Sequence, residues 1–196
     1  MLGVLILAGG NATRLPGKME REFRGEPLIL RAFRNVRSAG RVYVSANREF
    51  PRAIQKKLTC PILPDRFPGA GPLEAMHTCF GQMGEARVFV ISGDLPFASA
   101  QTAAELLESW GDDIDGVVPE DASGEVQPLC AIYDRERFLK AASEAIASGT
   151  SSVKSAMVRL RIRRVRLRDD RVLAGVNTPE DLVAVRTFDL GIRPGA

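Results

Sequence analysis

The sequence predicts an α/β fold with one doubly wound, mostly parallel sheet and an antiparallel interruption in its C-terminal half. Three observations predict it. Short runs that are apolar on both faces, such as "GVLILA" (3–8) and "ARVFVISGD" (86–94), have the character of parallel strands buried from two sides. Segments of helical period separate such runs along the chain. Two strand-like runs, 115–120 and 127–134, follow each other with only a turn between them, and a parallel pair needs a longer crossover.

Each element has a local reason. Leu28, Ile29, Ala32, Phe33 and Val36 recur at helical spacing, with Gly40 as the expected stop. "RVYVSAN" (41–47) is the next strand, residues 50–58 a short helix and "CPILPD" (60–65) a third strand. "GPLEAMHTCFGQM" starts a helix with Pro72 in the first turn, where its missing N–H costs nothing. A helix over 99–110 follows the strand 86–94. Helices over 135–147 and 151–160 come after the two adjacent strands. In the second, Val153, Ala156, Met157 and Leu160 stand at i, i+3, i+4 and i+7. A strand near 163–168 precedes a last helix opened by "NTPED". There Thr178 caps, Pro179 takes the first turn and Asp181 completes a capping box.

With 196 residues and no repeat, low-complexity segment or long linker, residues 1–196 are expected to form a single domain. Alternating strands and helices place helices on both faces of a Rossmann-like sheet. Ligands then bind beyond the carboxyl ends of the strands. The unusual loops lie there: Gly9 to Lys18, Asn47, Asp65 to Pro72, and Gly93 to Pro96.

Composition narrows the function. A hydrophobic share of 45% and a charged share of 26% suit a soluble globular protein. No apolar run approaches the roughly 18 residues that span a bilayer, and the N-terminus lacks a signal-like basic region. No membrane association is expected, and the expected location is the cytoplasm. Cys60, Cys79 and Cys130 show no CxxC pairing and read as reduced, packed thiols. The net charge is +3, and the arginines are scattered apart from "VRLRIRRVRLR" (158–168). Nucleic-acid binders cluster such charge with aromatics, so no nucleic-acid partner is expected. The lone histidine, His77, falls inside a predicted helix and reads as packed or surface-exposed.

The stretch "LAGGNATRLPGK" (7–18) carries the first chemical signal. Gly9 and Gly10 allow a ligand to approach backbone N–H groups that suit phosphate oxygens. Arg14 adds a planar fork of donors and Lys18 a mobile point charge. Together they make a polyphosphate cradle, the alternative being a tight turn with two solvated cations. A P-loop is excluded: Ala12 stands where a glycine is required and Met19 follows Lys18. "GGNATR" also lacks the GxGxxG dinucleotide pattern. A glycine pair, an arginine four residues on, and then a lysine make the activating signature of nucleotidyltransferases.

Further stretches extend that pattern. "LAGGNATRLPGK", "SANRE", "PDRFPGAGPLEAM", "SGDLPF", "QPLCAIYD" and "VNTPEDL" follow in order across residues 1 to about 187. Together they resemble the molybdenum cofactor guanylyltransferase family, also called molybdopterin-guanine dinucleotide biosynthesis protein A. The resemblance implies nucleotide contacts at Leu7, Ala8, Gly9, Gly10, Lys18, Asn47, Asp65 and Asp94. It implies catalysis by Arg14, Lys18 and Asp94, and GTP and molybdopterin, or the molybdenum cofactor, as substrates. Transient contact with proteins that deliver or receive the cofactor follows as well. Three departures stand out. The family's Asp-Lys pair is here Gly17-Lys18, with Arg21 as the other candidate for the lysine's role. Glu74 and Ala75 replace two small residues of a GPLAG-type turn. Gly175 stands where many relatives carry Asn or Asp, so a donor from that loop, toward a second metal or the acceptor, is either Asn177 or absent.

Asp94 ends the strongest strand signal and precedes a Leu-Pro turn. A carboxylate there suits Mg²⁺, with triphosphate and water as the remaining ligands. In nucleotidyl transfer the acceptor's phosphate oxygen attacks the α-phosphorus and pyrophosphate leaves. That oxygen is already ionised near neutral pH, so positioning and charge neutralisation carry the reaction. The expected activity is transfer of GMP from GTP to the terminal phosphate of molybdopterin. Arg159, Arg161, Arg163, Arg164, Arg166 and Arg168 are candidates to meet that phosphate, or else guard an exposed strand edge. Other readings are a cytidylyltransferase on the same cofactor, an enzyme activating another phosphorylated acceptor, and a non-catalytic nucleotide-binding protein.

Overall fold

In the computed structural model, which describes residues 1–9, 17–46, 50–64 and 69–188, strand β1 (Leu2–Leu7) lies in the middle of the sheet. A two-residue hairpin follows, β2 (Glu22–Phe23) and β3 (Glu26–Pro27), and then helix α1 (Leu28–Val36). The first half continues with β4 (Arg41–Ala46), α2 (Arg52–Gln55), β5 (Ile62–Pro64) and α3 (Pro72–Phe80). The second half holds β6 (Arg87–Ser92), α4 (Ala100–Glu108), β7 (Gly116–Pro119), β8 (Cys130–Asp134), α5 (Arg135–Ala147), α6 (Val153–Met157), β9 (Ile162–Val165) and α7 (Pro179–Phe188).

Among the described residues the main sheet has seven strands in the order β5-β4-β1-β6-β8-β7-β9. All neighbours pair in parallel except at β8, which runs against both β6 and β7. This is the doubly wound, mostly parallel sheet with the antiparallel interruption foreseen in the C-terminal half. The register Leu5↔Tyr43 and Leu5↔Val90 sets β1 between two apolar neighbours.

Strand alternation divides the core in two. Val4, Ile6, Val44 and Ile91 point to one face and pack with Ile29, Phe33 and Val36 of α1 and Leu106 of α4. Leu5, Leu7, Val88 and Val90 point to the other, with Leu73, Met76 and Phe80 of α3 and Phe138 of α5. Both faces are covered, which is why these strands are apolar throughout.

Several elements differ in extent from their sequence expectation. Helix α1 stops at Val36, not at Gly40. Gly40 serves close approach instead: a Cβ there would stand 2.0 Å from the carbonyl oxygen of Leu2. Strand β6 ends at Ser92, because Gly93 donates to the Leu7 carbonyl and Leu95 to that of Ser92, which turns the chain. Helix α6 closes at Met157 through i→i+3 bonds from Arg159 and Leu160. The β2–β3 hairpin has no periodicity to announce it; its turn places Arg24 (φ 57°) and Gly25 (φ 72°) in the left-handed region. The last helix opens as expected. Asp181 N donates to Thr178 Oγ1 at 3.1 Å and Thr178 N to Asp181 Oδ2 at 2.8 Å, a reciprocal capping box.

The basic stretch forms edge strand β9 and its flanks, and carboxylates meet its arginines. Arg159 pairs with Glu144, Arg163 with Asp113, Arg166 with Glu120 and Arg168 with Glu108. Of the two readings of this stretch, a charge-guarded edge fits the pairing better than a free phosphate-binding surface. Arg161 does more. Its guanidinium bonds both oxygens of the buried Asp115, at 3.2 and 2.9 Å, and its backbone N–H adds a third bond at 3.0 Å. These bonds hold the Asp115 carboxyl below its ordinary value of 3.8. A depressed carboxyl stabilises the fold above the pKa of the unfolded chain, and that stability is lost as pH falls through the folded value. Asp115→Asn is therefore expected to cost about 1–3 kcal/mol at neutral pH. The gap between wild type and variant should narrow as pH drops below about 4, read from urea melts at several pH values.

Candidate active site

Strand order reverses between β1 and β6. From β1 the chain winds outward through β4 and β5, then crosses to β6 and proceeds the other way. The carboxyl ends of these two neighbouring strands stand at that reversal, the place where doubly wound sheets bind ligands. The loop after β1 leads to Gly17 (φ 67°) and a 3-10 turn over Lys18–Glu20. The loop after β6 carries Asp94.

Small residues let these two loops touch. A Cβ on Gly93 would lie 2.8 Å from Met19 Sδ and 3.3 Å from the Leu7 carbonyl. Met19 is buried against that glycine and anchors the Lys18 backbone beside Asp94. The Asp94 turn is also held from α1. Arg31 Nε and Asn35 Nδ2 both donate to the Pro96 carbonyl, at 2.9 and 3.0 Å.

A third segment joins from the far end of the chain. Val176 N donates to the Asp94 carbonyl at 3.0 Å, which sets Asn177 next to the carboxylate. An apolar cluster of Phe23, Leu28, Val176 and Val185 clamps the hairpin, this loop and α7 together. Phe23 also meets the ring of Phe97 edge-on at 5.9 Å and lies under the Arg31 guanidinium at 4.7 Å. One buried aromatic therefore ties the segments bearing Lys18, Asp94 and Asn177.

Their side chains converge on one nitrogen. Lys18 Nζ lies 2.5 Å from Asp94 Oδ2 and 3.1 Å from Asn177 Oδ1. Lys18 and Asp94 keep only 15% and 10% of their side-chain surface exposed. At such burial the ammonium compensates a carboxylate that would otherwise lack a partner; removing one member of a buried pair costs about 3–5 kcal/mol. Asn177 is itself oriented, its backbone N–H bonded to Asp181 Oδ2 at 2.8 Å. A Cβ on Gly175 would stand 3.3 Å from Asn177 Nδ2 and 3.9 Å from Asp94 Oδ1, so a side chain at 175 would project into this same point. Glycine there leaves Asn177 as the amide donor of the loop.

Asp94 and Asn177 line a cleft of about 330 Å³, with Gln127 and Pro128 from the β7–β8 connection and Lys154 from α6. Lys154 Nζ is paired with Glu125 Oε1 at 3.0 Å on an exposed rim. Lys154 lines this opening and Lys18 reaches two of its lining residues, each lysine held by a carboxylate.

Of the other residues expected at the site, Gly10, Arg14, Asn47 and Asp65 lie outside the described residues. Leu7 and Ala8 are buried at the root of the first loop. The Ala8 N–H bonds the Ser45 carbonyl, and the Leu7 carbonyl takes the Gly93 N–H. Gly9 continues from them. Arg21, the other candidate for the lysine's role, is exposed, whereas Lys18 reaches Asp94. Glu74 and His77 line a separate groove between α3 and α5, where His77 Nε2 pairs with Ser143 Oγ at 2.9 Å. Ser143 Oγ donates to the Leu139 carbonyl, so the histidine does not activate it. Sequence reasoning missed Lys154, Glu125 and Phe23. Val153, Ala156 and Met157 announced the apolar face of α6, and Lys154 sits off that pattern.

Chemically, hard oxygens and mobile cations meet at the switch point of a doubly wound sheet, next to a loop opened by glycine. That is the arrangement of a nucleotidyltransferase. The chain belongs to the family of MobA-like NTP transferase domains, whose sequence model matches residues 4–165. It is similar to the molybdenum cofactor guanylyltransferase of Desulfosudis oleivorans, 29% identical over 188 residues, covering 91% of each chain. The probable molybdenum cofactor guanylyltransferase of Aquifex aeolicus is 25% identical over 188 residues, covering 94% of this chain and 90% of the relative. Among solved structures, molybdopterin-guanine dinucleotide biosynthesis protein A from Archaeoglobus fulgidus shares the fold with a TM-score of 0.79. It is 20% identical, and 97% of this chain and 100% of that one are covered.

The geometry separates the two candidate cations of the first loop. Lys18→Ala is expected to slow nucleotidyl transfer at least a hundredfold, about 2.7 kcal/mol of barrier. Arg21→Ala should leave the rate within about twofold. Steady-state rates of pyrophosphate release check both, and a more damaging Arg21→Ala would assign the role to Arg21.

Proposed function

We propose that this chain transfers GMP from GTP to the terminal phosphate of molybdopterin, or of the molybdenum cofactor, and releases pyrophosphate. The convergence of Lys18, Asp94 and Asn177 beside a cleft carries the reading. The names of the relatives support the choice of base and acceptor.

The residues present fit a divalent cation such as Mg²⁺. Asp94 Oδ2 and Asn177 Oδ1 are hard oxygen donors aimed at one point that already holds a cationic group. Among the described residues there is no group of three or more His, Cys, Asp or Glu that could cage a metal. Two protein oxygens are what a Mg²⁺ ion needs when triphosphate and water complete its shell. Bound there, the ion would neutralise charge on the reacting phosphates.

The chain's own groups do the rest. Gly9 and Gly10, with Arg14, are assigned to the triphosphate, and Asn47 and Asp65 are assigned to nucleotide contacts. Lys18 offsets charge on the phosphates. The acceptor enters the cleft lined by Asp94, Asn177 and Lys154, and its phosphate draws Lys154 from Glu125. An acceptor oxygen then forms a bond to the α-phosphorus as the bond from that phosphorus to the bridging oxygen breaks, and pyrophosphate takes the electron pair. A phosphate monoester has its second pKa near 6, so the attacking oxygen carries charge at neutral pH and needs no protein base. Among the described residues no helix is long and apolar enough to cross a membrane. The three free cysteines suit a reducing compartment, and the cytoplasm is the proposed location.

The deciding experiment supplies each of the four nucleoside triphosphates with Mg²⁺ and molybdopterin and follows pyrophosphate. Release with GTP alone is expected. Release with CTP alone would make the chain a cytidylyltransferase, and release with none would exclude this acceptor. In the same assay Asp94→Asn, near-isosteric with wild type, should lower turnover at least a hundredfold. Lys154→Met should raise the acceptor KM about tenfold and leave that of GTP unchanged. Glu125→Gln, which frees the lysine, should not raise it. Equal damage from both would reduce the Lys154–Glu125 pair to a structural contact.

A further inference from the structure

The ammonium of Lys18 fills the position that a divalent cation would take. It contacts Asp94 Oδ2 at 2.5 Å and Asn177 Oδ1 at 3.1 Å, the two oxygens that fit a metal. Those oxygens stand on rigid ground. Asp94 is pinned by Gly93 N to the Leu7 carbonyl on one side and by Val176 N to its own carbonyl on the other. Asn177 is fixed to the head of α7 through Asp181. Lys18 differs. Its backbone is anchored by buried Met19, but its charge sits at the end of a flexible four-carbon stem. When a second cation arrives, the oxygens stay and the lysine must leave.

A singly charged ammonium and a doubly charged ion repel when only a few ångströms apart beside a nearly buried carboxylate. In the free protein, a metal would therefore have to expel Lys18 from a nearly buried carboxylate. A nucleoside triphosphate alters the balance in two ways. Its phosphates offer the ammonium a new anionic partner, and it brings several of the oxygens the metal requires.

We infer that Lys18 is the resident counter-cation of Asp94 and Asn177, and that it makes metal binding at this pair conditional on the nucleotide. The lysine moves to the phosphates as the divalent ion takes its place. This deepens the nucleotidyl-transfer reading above and rests on it. The role assigns Lys18 two stations, one holding the free site together and one on the substrate.

Mn²⁺, a stand-in for Mg²⁺ whose free form is counted by electron paramagnetic resonance, tests the inference without turnover. Mn²⁺ is titrated into wild type, Lys18→Met, Lys18→Gln, Asp94→Asn and the double variant Lys18→Met/Asp94→Asn, first alone and then with a non-hydrolysable GTP analogue. Lys18→Gln keeps a hydrogen-bond donor for the same oxygens, so it preserves the fold if Lys18→Met does not. Without nucleotide, wild type should bind Mn²⁺ at least tenfold more weakly than either neutral variant, and Lys18→Met/Asp94→Asn should lose the gain. With the analogue, wild type should acquire a Mn²⁺ site that Asp94→Asn lacks. Neutral variants no tighter than wild type, beside a nucleotide-dependent site in wild type, would overturn the counter-cation role and leave nucleotidyl transfer standing. No Asp94-dependent Mn²⁺ even with the analogue would overturn both.

Discussion

The nearly buried carboxylate of Asp94 is the constraint on which the rest of this structure turns. A carboxylate with so little water around it requires a cation and orienting bonds. Lys18 supplies the cation, while Asn177 Oδ1 orients that ammonium and the Val176 N–H holds the Asp94 backbone carbonyl, from two distant parts of the chain. Bringing those parts together shapes the C-terminal third, which must return across the sheet to place residues 174–178 beside the end of β6. It also accounts for the small residue at Gly93, which lets the Lys18 turn lie against the strand end, and for Phe23, whose ring holds the first hairpin to that returning loop.

Rigidity and mobility are divided cleanly at the site. The oxygens belong to strand ends and a helix cap, positions fixed by backbone hydrogen bonds. The cations belong to lysines, whose charge can be relocated at small conformational cost to the fold. Elsewhere Arg161 grips Asp115, and Arg171 grips Asp169, each with two guanidinium bonds. On the role proposed for Lys18, a lysine stands where charge must move, and Arg161 stands where an edge is held.

Membership of the MobA-like NTP transferase domain family gives context to the departures. Glu74 falls on the face of α3 turned to the groove with α5, so it does not intrude on the Asp94 cleft. Gly175 does bear on the site. Its missing side chain would have pointed between Asp94 and Asn177, so this chain meets a cation there with one carboxylate and one amide.

Much was decided by sequence alone. Apolar runs separated by helical periods determined a parallel sheet covered on both faces, because only a strand buried from two sides is apolar at every position. The glycine pair with Lys18, and Asp94 after the strongest strand, marked the ends of two strands that the sheet makes neighbours, β1 and β6. The capping box at Thr178 and Asp181 was legible because both partners lie within one turn. Other features rest on contacts between residues far apart in the chain, and these carry no local pattern. Gly40 looks like a helix stop until Leu2 is seen against it. Phe23 is an ordinary aromatic until Val176 and Val185 close over it. Lys154 looks like the polar side of a short helix until the β7–β8 connection brings Glu125 to it. Above all, the meeting of Lys18 with Asp94, 76 residues away, and with Asn177, 159 residues away, exists only in three dimensions. Sequence periodicity reports which face of an element is buried, and only the tertiary structure decides which side chains share a point in space.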